Sequence, residues 1–200
     1  MFVGSNHQLQ NVIFGKALIH DESADSFGWL FTTFTNCMHG YQPHVLLTDE
    51  DPAMKLAVPE VFDKTQHRYC NFHVLRTSQN DLDTLYIAHK GLREKVEGLF
   101  NFPLSPTEFE QAWTETMQEY AITEHPAIKS LWEKRKMWIE TYFKGLYCGR
   151  MTSTQRSEST NRVLKDEFVN KTTSLHMFTK KMLEAIQHVD HMEAWETHYS

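Results

Sequence analysis

Residues 44–73 read HVLLTDEDPAMKLAVPEVFDKTQHRYCNFH, and this stretch decides the fold class. HVLLTD, 44–49, is a short apolar run ending in acid, the pattern of a buried strand able to pair in parallel. Asp51 can cap a helix and Pro52 supplies the fixed φ of a first helical position, so a helix is predicted from there to about Phe62. A short strand over about 66–70 follows, ending at Cys70. Strand, helix and strand in this order make an α/β unit.

Working outward, FVGSNH (2–7) and NVIFGKALI (11–19) predict two strands around a short turn, a hairpin. Phe27, Leu30, Phe31, Phe34 and Met38 fall at helical spacing, so 24–39 is predicted to be a helix. Beyond Cys70 the pattern is helical to about 148. Ser105-Pro106-Thr107-Glu108 has the form of a capping box with proline at the first helical position. Phe109, Trp113 and Met117 follow at successive turns. Ile128, Leu131, Trp132, Arg135, Trp138 and Ile139 predict that helical period continues through that segment. GRMTST (149–154) breaks the pattern. A helix is predicted over 155–169, then a last one with Phe178, Met182, Ile186 and Val189 on one face. No internal repeat or low-complexity linker interrupts the chain.

Composition fits a globular domain: of 200 residues, 40% are hydrophobic and 12% aromatic, with 23% charged, which excludes the disordered class. Cys37, Cys70 and Cys148 lie far apart and are odd in number, so a disulfide framework is not expected and a reducing compartment is. The opening residues lack a basic segment and a long apolar run, so a signal peptide is not expected. Nothing approaches the apolar length of a membrane span. Asn170-Lys171-Thr172 has the form of a glycosylation acceptor and is read as accidental. Residues 129–181 hold 12 Lys/Arg and 5 Asp/Glu, a local +7 that leaves −13 on the rest of a chain whose formal charge is −6. A basic segment in an acidic chain is either a footprint for phosphates or a solvated helix surface.

Four groups carry candidate chemistry. Asp49, at the end of an apolar strand, is placed where α/β sheets build their sites, and fixed carboxylates there can hold divalent ions. The alternative is a turn or cap aspartate, a role Asp51 already fills. Cys70 and His73 form C-x-x-H, half of a zinc site in principle. No second Cys/His pair at sensible spacing completes it, so a small buried cysteine and an ordinary histidine are the simpler reading. Glu158 lies among Ser157, Ser159, Thr160 and Asn161, which by composition reads as an exposed helix start. His188 and His191, three apart on the last helix, read as surface residues.

Together these pieces resemble a known pattern. HVLLTDEDPAMKLAVPEVFDKTQHRYCNFHVL resembles the Mutator-like (MULE) transposase signature: an apolar strand, TD-x-D, an amphipathic helix, then H-R-x-C-x-x-H. MTSTQRSESTNRVLKDEFVNKTTSL is similar to the region around the final glutamate as it occurs in the plant FAR-RED IMPAIRED RESPONSE family. FVGSNHQLQNVIFGKALIHDESADSFGWLF is similar to the segment upstream. The three occur in order across nearly the whole chain, with the helical block between the second and third.

The resemblance implies an α/β, ribonuclease-H-like DDE transposase core with three acidic metal ligands and an all-helical insertion. Asp49 matches the second acid and Glu158 the third, both as metal ligands for Mg²⁺ or Mn²⁺ if the protein is active. His73 joins them as a catalytic residue, with Cys70 and Asn161 supporting the motifs. Arg156, Arg162 and Lys165 beside Glu158 become candidate DNA contacts. The implied organisation is a partial core over 1–75, a helical insertion over 76–150, and helices of the core carrying the final acid over 151–200. The implied partners are DNA and other family members, as homo- or hetero-oligomers, with no membrane, and the implied location is the nucleus. Zinc belongs to the family's separate finger modules, which have no counterpart in these residues.

In the family the first acid lies on a strand preceding FVGSNH, and that strand is central to the sheet. The chain is therefore expected to be a truncated or decayed copy with two of three acids. Two strand edges would be left unpaired, each buried orphan group costing roughly 1–3 kcal/mol against a total stability of about 5–15 kcal/mol. Poor folding or aggregation through open edges is the expectation. Three functions follow: a transposase-derived nuclear regulator of transcription, an active DNA transposase working with two divalent ions, or a non-functional remnant.

Overall fold

A computed structural model of the chain describes residues 1–6, 8–102, 104–146, 148, 153–155, 157–159, 162, 174, 176–181 and 183–184. They group into two compact units, one from Met1–His20 and Thr154–Ser200, the other from Asp21–Ser153. The architecture is mixed α/β and mainly helical, and the described strands form two separate two-stranded sheets.

In the first unit, β1 (Phe2–Ser5) and β2 (Asn11–Gly15) pair antiparallel, with a register shift between Phe2 and Val3. The hairpin is the expected one, but its strands are shorter. At the turn Asn6 N–H still donates to Gln10 O at 3.1 Å, and its Oδ1 accepts from the backbone N–H of Gln8 and of Gln10, both at 2.9 Å, which closes the β1 end of the ladder. Gln155, Ser157–Ser159, Arg162, His176–Lys181 and Leu183–Glu184 are helical. His7, Met182, Ile186, Val189, His188, His191 and the Asn170–Thr172 triplet lie outside the described residues.

The second unit opens with α1 (Ala24–Cys37), started by Ser23, whose hydroxyl accepts from Ser26 N at 3.2 Å. Next come β3 (Val45–Thr48), α2 (Pro52–Val61) and β4 (Gln66–Tyr69). Asp51 caps α2 as its sequence predicts, accepting from Ala53 N at 2.8 Å and Met54 N at 2.9 Å. α1 lies against α2, and Phe62 at the end of α2 is buried between Phe31, with ring centroids 5.2 Å apart, and Phe34, at 6.5 Å. This aromatic wedge holds the crossover in place, so that β3 and β4 run parallel with Leu46 opposite His67 and Thr48 opposite Tyr69.

The rest of the unit is helical: α3 (Asn71–Thr77), α4 (Gln79–Ala88), α5 (Leu92–Asn101), α6 (Pro106–Glu119), α7 (Pro126–Glu133), α8 (Arg135–Trp138) and a 3-10 turn (Glu140–Phe143). Leu92, Val96, Phe109, Met117 and Leu131 are all 1% exposed and make its centre. Burial of each such side chain contributes about 1.5–3 kcal/mol. α6 starts with the predicted capping box, Ser105 Oγ accepting from Glu108 N and Glu108 Oε2 from Ser105 N. Gly91 precedes α5 with φ +86°, and a Cβ there would meet the Tyr120 hydroxyl at 3.2 Å, so this turn requires glycine.

One expectation is corrected. The helical period read through 128–139 is divided at Lys134, where α7 ends and α8 begins. Lys134 and Arg135 are each drawn to a distant carboxylate, Glu50 and Glu110, and these tertiary bonds accompany the break that local periodicity does not reveal.

Candidate functional site

Parallel pairing brings the candidate residues of the second unit together. Cys70 N donates to Thr48 O at 2.7 Å, continuing the ladder one residue past the strand pair. Asp49 and Cys70 therefore leave the carboxyl ends of β3 and β4 side by side. The Cys70 side chain is fully buried at the N-cap of α3, consistent with the small-residue reading, and makes no capping bond. His73 follows in the first turn of α3, half-buried, with its ring edge-to-face against Phe72 at 5.7 Å.

Asp49 is exposed, and among the described residues no donor to its carboxylate is recorded. Its neighbours are all held. Thr48 is buried, and its hydroxyl donates to Asp49 O at 2.7 Å. His67 Nε2 lies 2.9 Å from the same hydroxyl. Burial pushes His67 down to about 4, so the ring is neutral at physiological pH. Glu50 accepts from Lys134 Nζ on both oxygens, at 2.6 and 2.8 Å. Burial raises the pKa of the Tyr69 phenol, and the Glu50 charge raises it further. Asp51 is committed to its helix. Of the three acids in TDED, only Asp49 presents a carboxylate outward.

On the opposite face of β4, Arg68 is buried with its guanidinium against the Phe143 ring. Its Nε and Nη1 meet no acceptor among the described residues, and burial pushes its pKa down to about 9.

Glu158 belongs to the other unit and is described with it. It is exposed and helical, its N–H donates to Thr154 O at 2.9 Å, and Thr154 Oγ1 donates to its Oε1 at 2.6 Å. Arg162 is exposed and helical, whereas Arg156, Asn161 and Lys165 lie outside the described residues. Among the described residues no group of three or more His, Cys, Asp or Glu is placed to hold a metal ion. Asp49 alone supplies one hard oxygen of the roughly six that Mg²⁺ requires. The described residues thus do not assemble a full ligand set.

The basic segment is partly neutralised within the second unit. Lys129 pairs with Glu124, Lys134 with Glu50, and Arg135 with Glu110. Lys134 and Arg135, both largely covered, serve the fold, which favours the structural reading for these two, whereas the Lys129 pair is exposed. Sequence reasoning missed Thr48, Glu50, His67 and Lys134. Only the alternation of QHRYC, which puts His67 and Tyr69 on one face and Arg68 and Cys70 on the other, signals any of them.

Residues 1–77, which include the strand–helix–strand, its outward acid and the following C-x-x-H, match the family model of the MULE transposase domain. The chain is 30% identical over 186 residues to Protein FAR1-RELATED SEQUENCE 5 of Arabidopsis thaliana, covering 93% of this chain and 24% of that protein. It is 32% identical to FAR1-RELATED SEQUENCE 4, over 89% of this chain and 24% of the relative. It is 29% identical to FAR-RED IMPAIRED RESPONSE 1, over 90% and 22%, both from the same plant. The chain is thus a MULE-domain relative of the FAR-RED IMPAIRED RESPONSE proteins, and spans about a quarter of the length of these relatives. No solved structure matches it significantly. No helix among the described residues is long and apolar enough to cross a membrane.

Proposed function

We propose that the chain is part of a transposase-derived, DNA-associated regulator of transcription that works in the nucleus, on a ribonuclease-H-like core. The observation that carries this reading is the outward Asp49 beside the Cys70–His73 turn, inside the stretch matched by the MULE transposase domain. The similarity to FAR-RED IMPAIRED RESPONSE 1 along 90% of the chain supports the regulatory side of it. Arg162, exposed near Glu158, is the described candidate for a phosphate contact, with Arg156 and Lys165 assigned on the resemblance alone. Partners of the same family, as homo- or hetero-oligomers, fit this reading. The test is a fluorescent fusion in plant cells combined with a promoter reporter. Nuclear accumulation with a change in reporter output supports the proposal, and exclusion from the nucleus removes it.

A second reading is an active transposase that cuts DNA phosphodiesters with Mg²⁺ or Mn²⁺, with Asp49 and Glu158 as ligands and His73 in support. The free, exposed carboxylate of Asp49 is what favours it. Nicking of supercoiled plasmid in Mn²⁺ that is lost in Asp49→Asn supports it. No nicking by the chain in its full natural context removes it, and absence of both DNA association and nicking leaves the remnant.

A further inference from the structure

Glu50 stands apart from its neighbours because its partner is not local. Thr48 bonds to the adjacent strand and Asp51 to its own helix, but Glu50 is clasped by Lys134, 84 residues later, through both carboxylate oxygens. The two side chains are only 28% and 17% exposed. Among the described residues the other lysine pairs, Lys95–Glu119 and Lys129–Glu124, join neighbouring parts of the helical block and are about half exposed or more.

Lys134 is itself carried on a fixed joint. It sits between α7 and α8, and its carbonyl accepts from Met137 N at 2.7 Å. The next residue, Arg135, donates from Nε to Glu110 Oε1 at 3.0 Å and from Nη1 to Trp132 O at 3.0 Å, and lies over the Trp132 ring at 3.8 Å. Trp132 in turn stacks on Trp113 of α6. The cation that reaches Glu50 is thus anchored in the centre of the helical block. Glu50 is thereby tied to the block at the bend that follows β3, next to the exposed Asp49.

We infer that Lys134 is a positioning residue for Asp49: by clasping Glu50 it couples the helical block to the segment leaving β3 and holds in place the backbone that carries Asp49. This rests on the proposed function only in taking Asp49 as a site residue. The consequence is that anything moving the α7–α8 joint moves the end of β3 with it, so a ligand on the helical block can be felt at Asp49.

The experiment is amide hydrogen exchange on the full chain, comparing wild type, Lys134→Met, Lys134→Glu and the swap Lys134→Glu with Glu50→Lys. Exchange at 49–54 is expected to quicken roughly tenfold in the single variants, while Val96, Trp113 and Met117 stay protected. The swap is expected to return 49–54 to within about threefold of wild type, which a loss of packing alone would not do. Lys134→Met removes the charge without repulsion and keeps the comparison available should the reversal prevent folding. Unchanged exchange at 49–54, equal quickening throughout α5 and α6, or no rescue by the swap each overturn the inference. Binding of the wild-type chain to duplex DNA is measured alongside. Its absence would remove the proposed function while the exchange result still decides the coupling.

Discussion

His67 Nε2 and Thr48 Oγ1 lie 2.9 Å apart at the carboxyl end of the parallel pair, one residue before Asp49. Because the Thr48 hydroxyl gives its proton to Asp49 O at 2.7 Å, its oxygen is left to accept, so His67 donates through Nε2–H. One chain of bonds runs from β4 through β3 to the backbone of the candidate site residue.

Burial of the His67 ring makes stability depend on pH. Burial pushes His67 down to about 4 in the folded chain from an ordinary 6.5. Between those values the unfolded chain binds a proton that the folded chain refuses, so stability is full above about pH 6.5 and falls as pH drops toward 4. The loss is about 2 kcal/mol after allowance for the solvated part of the ring. Thermal unfolding at pH 7 and pH 4.5 checks it: His67→Gln should be less sensitive than wild type over this window. Equal sensitivity would count against the buried, neutral ring.

Asp49 and Asp51 should separate cleanly. Asp51→Ala removes two capping bonds and is expected to cost about 1 kcal/mol. Asp49→Asn alters an exposed carboxylate and is expected to change stability by less than about 0.5 kcal/mol. Urea unfolding of both variants measures the contrast. A larger cost at Asp49 would mark it as structural.

The α1–α2 contact depends on one ring. Phe62 is 1% exposed and touches Phe31 and Phe34, so Phe62→Ala leaves a cavity and is expected to cost about 3–5 kcal/mol. Phe72→Ala, at an exposed ring, should cost far less, and denaturant midpoints of the two variants give the comparison.

The end of the helical block is tied by Glu110, whose Oε1 accepts from Arg135 Nε at 3.0 Å and from the Tyr142 hydroxyl at 2.7 Å. Burial, then the bond to Glu110, pushes Tyr142 up to about 12. Glu110→Gln removes the negative charge, so Tyr142 should ionise at lower pH while remaining above an ordinary tyrosine. Phenolate absorbance in an alkaline titration reads this directly, and an unmoved titration would place the whole shift in burial.

Much of the fold was legible because its signals are local. Asp51-Pro52 and Ser105-Pro106 announce helix starts through bonds made within three residues, and both are present. The apolar run ending at Asp49 announced β3, and its parallel partner followed from the intervening helix. What was not legible is tertiary. Lys134 breaks a good helical period to reach Glu50 across 84 residues, and His67 meets Thr48 only after β3 and β4 pair. Asp49 was picked out because Asp51 already explained the cap; the bonds that hold its neighbours left no trace in spacing.

DNA association is the central claim, and fluorescence anisotropy with a labelled duplex over a series of salt concentrations tests it most directly. The account predicts saturable binding at low salt, with the logarithm of the binding constant falling linearly with the logarithm of salt. Arg162→Ala should reduce that slope by about one, and Asp49→Asn should leave it unchanged. No change in anisotropy at the lowest salt, with the chain folded, would contradict the account.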